Sequence, residues 1–122
     1  MHVKQLSVAT WNVRTMYQPG KLTNAIMEMK RLNLDILGLS EVRWTGRDRI
    51  RSEGYEFIYS RGAEKHENGV GIILKKELSE MVNDIIPRSD RVIAVQINAK
   101  PKPITVIQVY APTADSEEEE IE

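Results

Sequence analysis

The segment from Asp35 to Val42 is nearly all apolar until it reaches Ser40-Glu41. A strand with one face in water alternates apolar and polar residues, whereas a continuous apolar run is typical of a strand covered on both faces. A sheet built around such a strand needs another layer of structure on each side. This run therefore predicts a layered α/β architecture within one domain.

The residues before this run predict the unit to which the strand belongs. Leu6–Val13 is rich in Val, Thr and Trp and predicts a buried first strand. Leu22, Ile26 and Met29 then recur at helical spacing, which predicts an amphipathic helix that ends near Asn33. A strand, a helix and a second strand in this order form a crossover unit, in which the two strands are parallel.

The second half of the chain predicts strands joined by short polar links. Met81–Ile86 fits either a further strand or part of a short helix. We therefore expect an α/β fold with one helix, about six strands and a mostly antiparallel second part. The clearest strand candidates in this half are Tyr55–Ser60, Val70–Lys75, Val92–Ile97 and Ile104–Tyr110.

The net charge of −1 hides an uneven distribution of acidic residues. Six of the 18 acidic residues lie in Asp115–Glu122, which leaves 12 acidic against 17 basic groups, or +5, in residues 1–114. Arg43–Arg51 is interpreted as a loop, and it carries four arginines against Asp48 alone. A basic loop that contains Trp44 suits the phosphates of a polyanion, although a solvated loop is the ordinary alternative.

The composition also excludes several classes of protein. The chain has no cysteine, so disulfides and thiolate metal sites are excluded. No apolar run approaches the roughly 20 residues that a membrane helix needs, and the first residues lack the apolar stretch of a secretory signal. We therefore expect an intracellular protein, nuclear or cytoplasmic, with no membrane partner.

Three of the predicted strands end on a polar side chain, namely Asn12, Glu41 and Tyr110. A hard cation such as Mg²⁺ takes oxygen ligands, and a phenol can donate a hydrogen bond or move a proton. Each residue also has an ordinary interpretation. Asn12 could cap a turn, Glu41 could be a solvated surface acid, and Tyr110 could be a strand aromatic.

Four segments, taken in order, resemble the endonuclease/exonuclease/phosphatase family. The similarity extends from Leu6 to about Thr113. It is closest to the apurinic-type endonuclease domain of non-LTR retrotransposons and to craniofacial development protein 2-like proteins. The segments that carry the resemblance are Thr10–Thr15, Asp35–Trp44, Gly69–Ile73 and Val109–Thr113.

The resemblance implies a two-sheet α/β sandwich of the DNase I-like type, with Mg²⁺ or Mn²⁺ bound at one edge. Members of the family cut phosphodiester bonds in DNA, RNA or smaller phosphate esters. By position, Asn12 matches the family's active-site asparagine and Glu41 matches its metal-binding glutamate. Tyr110 matches its catalytic tyrosine.

The resemblance also implies a nucleic-acid contact in the basic segment. Arg43 and Trp44 fall in the loop that lies close to substrate in the nucleases of the family. Arg47 and Arg49 are further candidates for nucleic-acid binding, with a solvated loop as the alternative for both. DNA is the expected partner of the intact domain.

Two family motifs that follow the tyrosine, Gly-Asp-Phe-Asn and Ser-Asp-His, do not occur in residues 1–122. Neither His2 nor His66 can replace the missing histidine by position. Without that aspartate and histidine, most of the electrostatic stabilisation of the transition state is lost. We therefore expect residues 1–122 to be the truncated N-terminal part of one such domain, with little or no nuclease activity. The acidic residues 115–122 fit the start of a next helix or a frayed end.

Two other functions remain open at this stage. The chain could be a non-catalytic remnant that forms a homodimer or pairs with a complementary half-domain, because an open sheet edge and an uncovered apolar face favour association. It could instead be a phosphatase-like member that acts on small phosphate esters. The arginine loop with Trp44 argues against that last function.

Overall fold

The computed structural model describes residues 5–12, 20–40, 42, 49–60, 69–87 and 91–110. Within these ranges the chain forms eight strands and two helices. No helix in the same ranges has the length and apolar character needed to cross a membrane. In chain order the elements are β1 (Val8–Asn12), α1 (Lys21–Leu32), β2 (Ile36–Ser40), β3 (Arg49–Ser52), β4 (Tyr55–Ser60), β5 (Val70–Lys75), α2 (Lys76–Ser79), β6 (Val82–Pro87), β7 (Val92–Ile97) and β8 (Ile104–Val109).

The strands form two sheets. The first has five strands in the order β1-β2-β5-β4-β3, and the second has three in the order β6-β7-β8. β1 and β2 are parallel, while the other pairs are antiparallel. The parallel pair with α1 between its strands confirms the predicted crossover unit, and the two layers confirm the predicted α/β sandwich.

The helix α1 covers one face of the first sheet. Ile26 and Met29 are fully buried and belong to one apolar cluster with Leu39 and Phe57. The helix ends where Asn33 adopts a left-handed conformation (φ 56°), and the Asn33 N–H closes the last turn. This confirms the end of the helix that its periodicity predicts.

The other face of the first sheet packs against the second sheet. Ile36 and Ile72 from the first sheet and Ile93 and Val95 from the second are all at most 1% exposed. β2 is therefore covered on both faces, as its apolar run predicts. The apolar side chains of this strand alternate between the helix and the second sheet, so both layers stabilise it.

Two elements differ from the expectation or resolve it. Arg49–Ser52 is an edge strand paired with β4, so the interpretation of Arg43–Arg51 as a loop is wrong for its last three residues. Strand propensity gives little warning here, because pairing with β4 outweighs the polar composition of the segment. The open segment Met81–Ile86 belongs chiefly to β6, which follows the short helix α2.

Candidate active site

Asn12 and Ser40 are the last residues of the two parallel strands. They therefore lie at the same edge of the first sheet, the edge formed by the carboxyl ends of β1 and β2. Their Cα atoms are register partners, and each is the last residue of its strand. Because parallel strands run in one direction, their carboxyl ends meet at one edge. The Asn12 side chain is exposed there, and Ser40 is half-buried.

Glu41 lies outside the described residues, but the residues on either side of it are placed. Ser40 pairs with Asn12 on one side and with Val70 of β5 on the other. Val42 is fully buried, and its N–H donates a hydrogen bond to the Gly69 carbonyl oxygen over 3.1 Å. The chain on both sides of Glu41 is thus anchored next to the edge that carries Asn12.

Tyr110 follows β8 and packs partly buried against the cluster between the two sheets. Two residues earlier, the Gln108 side chain donates from Nε2 to the Thr10 hydroxyl over 3.3 Å. Since side chains alternate across a strand, Asn12 shares the parity of Thr10, and Tyr110 shares that of Gln108. The structure therefore places Asn12 and Tyr110 on the side of their strands that faces the opposite sheet.

The close approach of β8 to β2 depends on Gly38. A Cβ atom at this position would overlap the carboxamide of Gln108, which is itself only 8% exposed. Only glycine, which has no side chain, leaves room for Gln108 to reach Thr10. Neither Gly38 nor Gln108 was predicted from sequence, although a glycine inside a buried strand is the signal of such an approach.

Arg49 lies on β3, which is the outermost strand of the first sheet on the side opposite to β1, the strand of Asn12. Its Nε donates to Oε2 of Glu56, and this hydrogen bond raises the pKa of Arg49. Four strand spacings, or about 19 Å, separate β1 from β3. Arg49 therefore does not join Asn12 in one cluster. The other predicted nucleic-acid contacts, Arg43, Trp44 and Arg47, lie outside the described residues.

The donor atoms near the strand ends are of the type that a hard cation accepts. The Asn12 amide and the Ser40 hydroxyl offer oxygen, which suits Mg²⁺. Within the described ranges, no three acidic or histidine side chains gather to form a metal site. Coordination by one or two carboxylates with several waters is usual for Mg²⁺, so this edge suits a cation only with a carboxylate beside it.

The sequence profile of the endonuclease/exonuclease/phosphatase family matches residues 9–119, which is nearly the whole chain. This chain belongs to the endonuclease/exonuclease/phosphatase family. The resemblance carried by the four motif segments is thereby confirmed.

Known relatives of this family agree with the fold. Craniofacial development protein 2 of Bos taurus is 41% identical over 118 residues, which cover 97% of this chain and 20% of the relative. An AP endonuclease from Archaeoglobus fulgidus superposes with a TM-score of 0.64 at 27% identity, over 88% of this chain and 42% of that chain. The endonuclease domain of TRAS1, a telomere-specific non-LTR retrotransposon, superposes with a TM-score of 0.60 at 16% identity, over 96% and 51%. The chain thus spans about a fifth of the curated relatives it matches and about half of these solved structures.

Proposed function

We propose that this chain supplies Asn12, Glu41 and Tyr110 to a divalent-metal-dependent endonuclease that nicks DNA. The pairing of Asn12 with Ser40, the residue before Glu41, is the observation that carries the proposal. Membership of the family and the similarity to solved AP endonucleases support it further.

Each residue has a role that its chemistry allows. Glu41 provides the carboxylate that holds Mg²⁺ or Mn²⁺. A cation bound there neutralises charge on the phosphoryl oxygens. The Asn12 amide orients the phosphate, and the Tyr110 phenol donates a hydrogen bond to the phosphoryl group. Arg43, Trp44 and Arg47 contact the DNA backbone.

The same proposal includes low activity for the 122-residue chain alone. The sequence has neither the Gly-Asp-Phe-Asn nor the Ser-Asp-His motif. Loss of members of a cooperating site commonly lowers the rate by several orders of magnitude. We therefore expect Mg²⁺-dependent nicking of supercoiled plasmid at, or close to, the background rate.

Metal binding tests the site without requiring activity. Titration of the chain with Mn²⁺, followed by the loss of the free-ion electron paramagnetic resonance signal, should show a site that Glu41→Gln removes. Glu77→Gln, which neutralises an exposed acid on α2, is the matched control and should bind as the wild type does. Equal Mn²⁺ binding by Glu41→Gln and the wild type would rule out the proposed ligand.

A second function is favoured by the open edges of both sheets. β1 and β8 are edge strands, and they expose Val8 (59%), Ile107 (59%) and Val109 (57%). Large apolar side chains in such positions mark surfaces that associate. We propose that a complementary half-domain covers these edges, and that the chain alone forms a homodimer through them.

Sedimentation velocity tests this second function. The wild-type chain should sediment as a dimer at tens of micromolar, and Ile107→Lys should shift it to the monomer. Thr23→Lys introduces the same charge at an exposed position of α1, outside β1 and β8, and serves as the control. A monomeric wild type that nicks plasmid in Mg²⁺, and loses this on Glu41→Ala, would defeat the non-catalytic alternative.

A further inference from the structure

Glu56 is a carboxylate in a position where the surrounding row of the sheet is apolar. It lies on β4 in register with Leu74 of β5 and, beyond it, Ile36 of β2, and both are at most 1% exposed. Glu56 itself is only 2% exposed. Burial of a charge is costly unless the charge is paired, so the partners of Glu56 explain its presence.

Those partners are two arginines on the neighbouring edge strand. Arg51 is the register partner of Glu56, and Arg49 lies two residues away on the same side of β3. Arg49 donates from Nε to one carboxylate oxygen, and the Nε of Arg51 lies 4.0 Å from the other. Among the described residues, that second oxygen, Oε1, has no hydrogen-bond partner. One buried carboxylate thus accepts a hydrogen bond from Arg49 and lies within electrostatic reach of Arg51.

The two arginines remain accessible to a ligand. Their side chains are 44% and 65% exposed, while that of Glu56 is 3% exposed. A guanidinium carries five N–H donors, so the bond from Arg49 Nε to Glu56 leaves four others on that group. With one carboxylate between them, the two arginines retain a net charge of +1. This combination suits a phosphate oxygen, which accepts paired N–H donors from arginine.

We infer that Glu56 is a positioning residue that fixes Arg49 by a hydrogen bond and attracts Arg51 by charge, so that both arginines of β3 contact the phosphate backbone of DNA. The inference rests on the proposed function, because it takes DNA as the ligand. β3 lies about 19 Å from the strand that ends at Asn12. At 3.4 Å per base pair, this corresponds to about five to six base pairs along a duplex. The pair therefore holds the flank of the substrate and does not act at the scissile bond.

Binding of a fluorescein-labelled 20-base-pair duplex to the full chain, measured by anisotropy in EDTA, tests the inference. Glu56→Gln keeps the size of the side chain and removes one negative charge. Long-range electrostatics alone then predicts tighter binding, whereas loss of positioning predicts binding weaker by at least about threefold. Glu77→Gln removes the same charge from an exposed helix position and is the matched control. We expect it to bind as tightly as the wild type or more tightly.

The salt dependence gives a second measurement. Arg49→Gln with Arg51→Gln should lower the slope of log K against log salt by about 2, since each phosphate contact contributes about 0.9. Glu56→Gln should lower it by up to about 1 while both arginines remain in the chain. An unchanged slope in the double arginine variant would overturn the inference.

Folding and nuclease chemistry are separated from this result by design. Thermal unfolding shows whether each variant folds. If Glu56→Gln does not fold, Arg49→Lys tests the inference instead. This variant keeps the charge of a half-exposed residue but loses the planar arrangement of N–H donors. Weaker binding by Arg49→Lys supports the inference, and unchanged binding overturns it. Glu56→Gln that binds as tightly as Glu77→Gln also overturns it. Since EDTA removes divalent ions, failure of the proposed metal site leaves this binding result unaffected.

Discussion

The two sheets of this molecule differ in how many of their faces are covered. β2 and β5 in the first sheet are buried along almost their whole length, between α1 and the second sheet. β8 in the second sheet buries Gln108 but exposes Ile107 and Val109 on its other face. Within the described residues, the first sheet therefore carries the packed core, while the second sheet contributes one face to it.

The difference shows where polar groups and gaps can be accommodated. Between the sheets, two departures from apolar packing each have a specific partner: Gly38 leaves space for Gln108, and Glu56 meets Arg49. On the outer face of β8, apolar side chains stand exposed with little cost for change. Substitutions should thus report which face of each sheet is covered.

The largest effect is expected from truncation in the doubly covered sheet. Ile72→Ala removes a side chain that is 0% exposed, and it should lower the free energy of unfolding by about 2–5 kcal/mol through lost burial and a cavity. Ile107→Ala makes the same chemical change at a position 59% exposed, and at protein concentrations too low for the proposed dimer it should cost about 0.5 kcal/mol or less. Urea denaturation measures both. Equal costs would show that the outer face of the second sheet is covered in solution.

An intermediate effect is expected where the two sheets approach most closely. Gly38→Ala brings a Cβ atom onto the Gln108 carboxamide, and such overpacking should cost about 1–3 kcal/mol. Adding Gln108→Ala removes the obstacle, so the double variant should be less destabilised than the two single changes together. Strictly additive costs in denaturation would mean that Gly38 and Gln108 do not meet.

A somewhat smaller effect is expected at the edge of the first sheet. Arg49→Leu leaves the buried Glu56 carboxylate without its hydrogen-bond donor, which is destabilising. The guanidinium is 44% exposed and Arg51 lies 4.0 Å from the same carboxylate, so about 1–2 kcal/mol is expected. Combining it with Glu56→Leu should recover part of the loss in chemical denaturation. A double variant as unstable as Arg49→Leu would show that the carboxylate is not the source of the cost.

The covered elements are also those that sequence predicts best. β4, β5 and β7 begin and end where the composition predicts, and α1 ends at Leu32, next to the predicted Asn33, because burial on a fixed face imposes a regular pattern. β3 carries no such pattern. Its polar residues form a strand only because β4 offers hydrogen-bond partners. The local sequence does not predict that pairing.

The residues of the candidate site also differ in how far the sequence predicts them. Asn12 could be predicted from its position at a strand end, and the register with Ser40 adds which neighbour it meets. The role of Gln108 could not be predicted, because its hydrogen bond to Thr10 joins residues 98 positions apart. Glu56 could not either, because nothing in the sequence shows that this carboxylate is buried beside arginines. The roles of Asn12, Glu41 and Tyr110 stay predictions.

The smallest effect is expected at an exposed ion pair, which contrasts with the buried carboxylate of Glu56. On α1, the Nη2 of Arg31 lies 2.8 Å from the Glu28 carboxylate, and this hydrogen bond lowers the pKa of Glu28. A lowered folded-state pKa stabilises the fold above the unfolded-state pKa, and the contribution is lost as the pH falls through the folded-state value.

Arg31→Gln should therefore raise the pKa of Glu28 towards its usual value, while the free energy of unfolding at neutral pH changes by less than its experimental scatter. A carboxyl-detected nuclear magnetic resonance titration follows the Glu28 side chain directly, and Lys102→Gln, in the turn before β8, is the control. A Glu28 titration that is unchanged in Arg31→Gln would contradict the pair. A measurable loss of stability would instead show that this surface of α1 is covered, and the contrast with the buried carboxylate would then disappear.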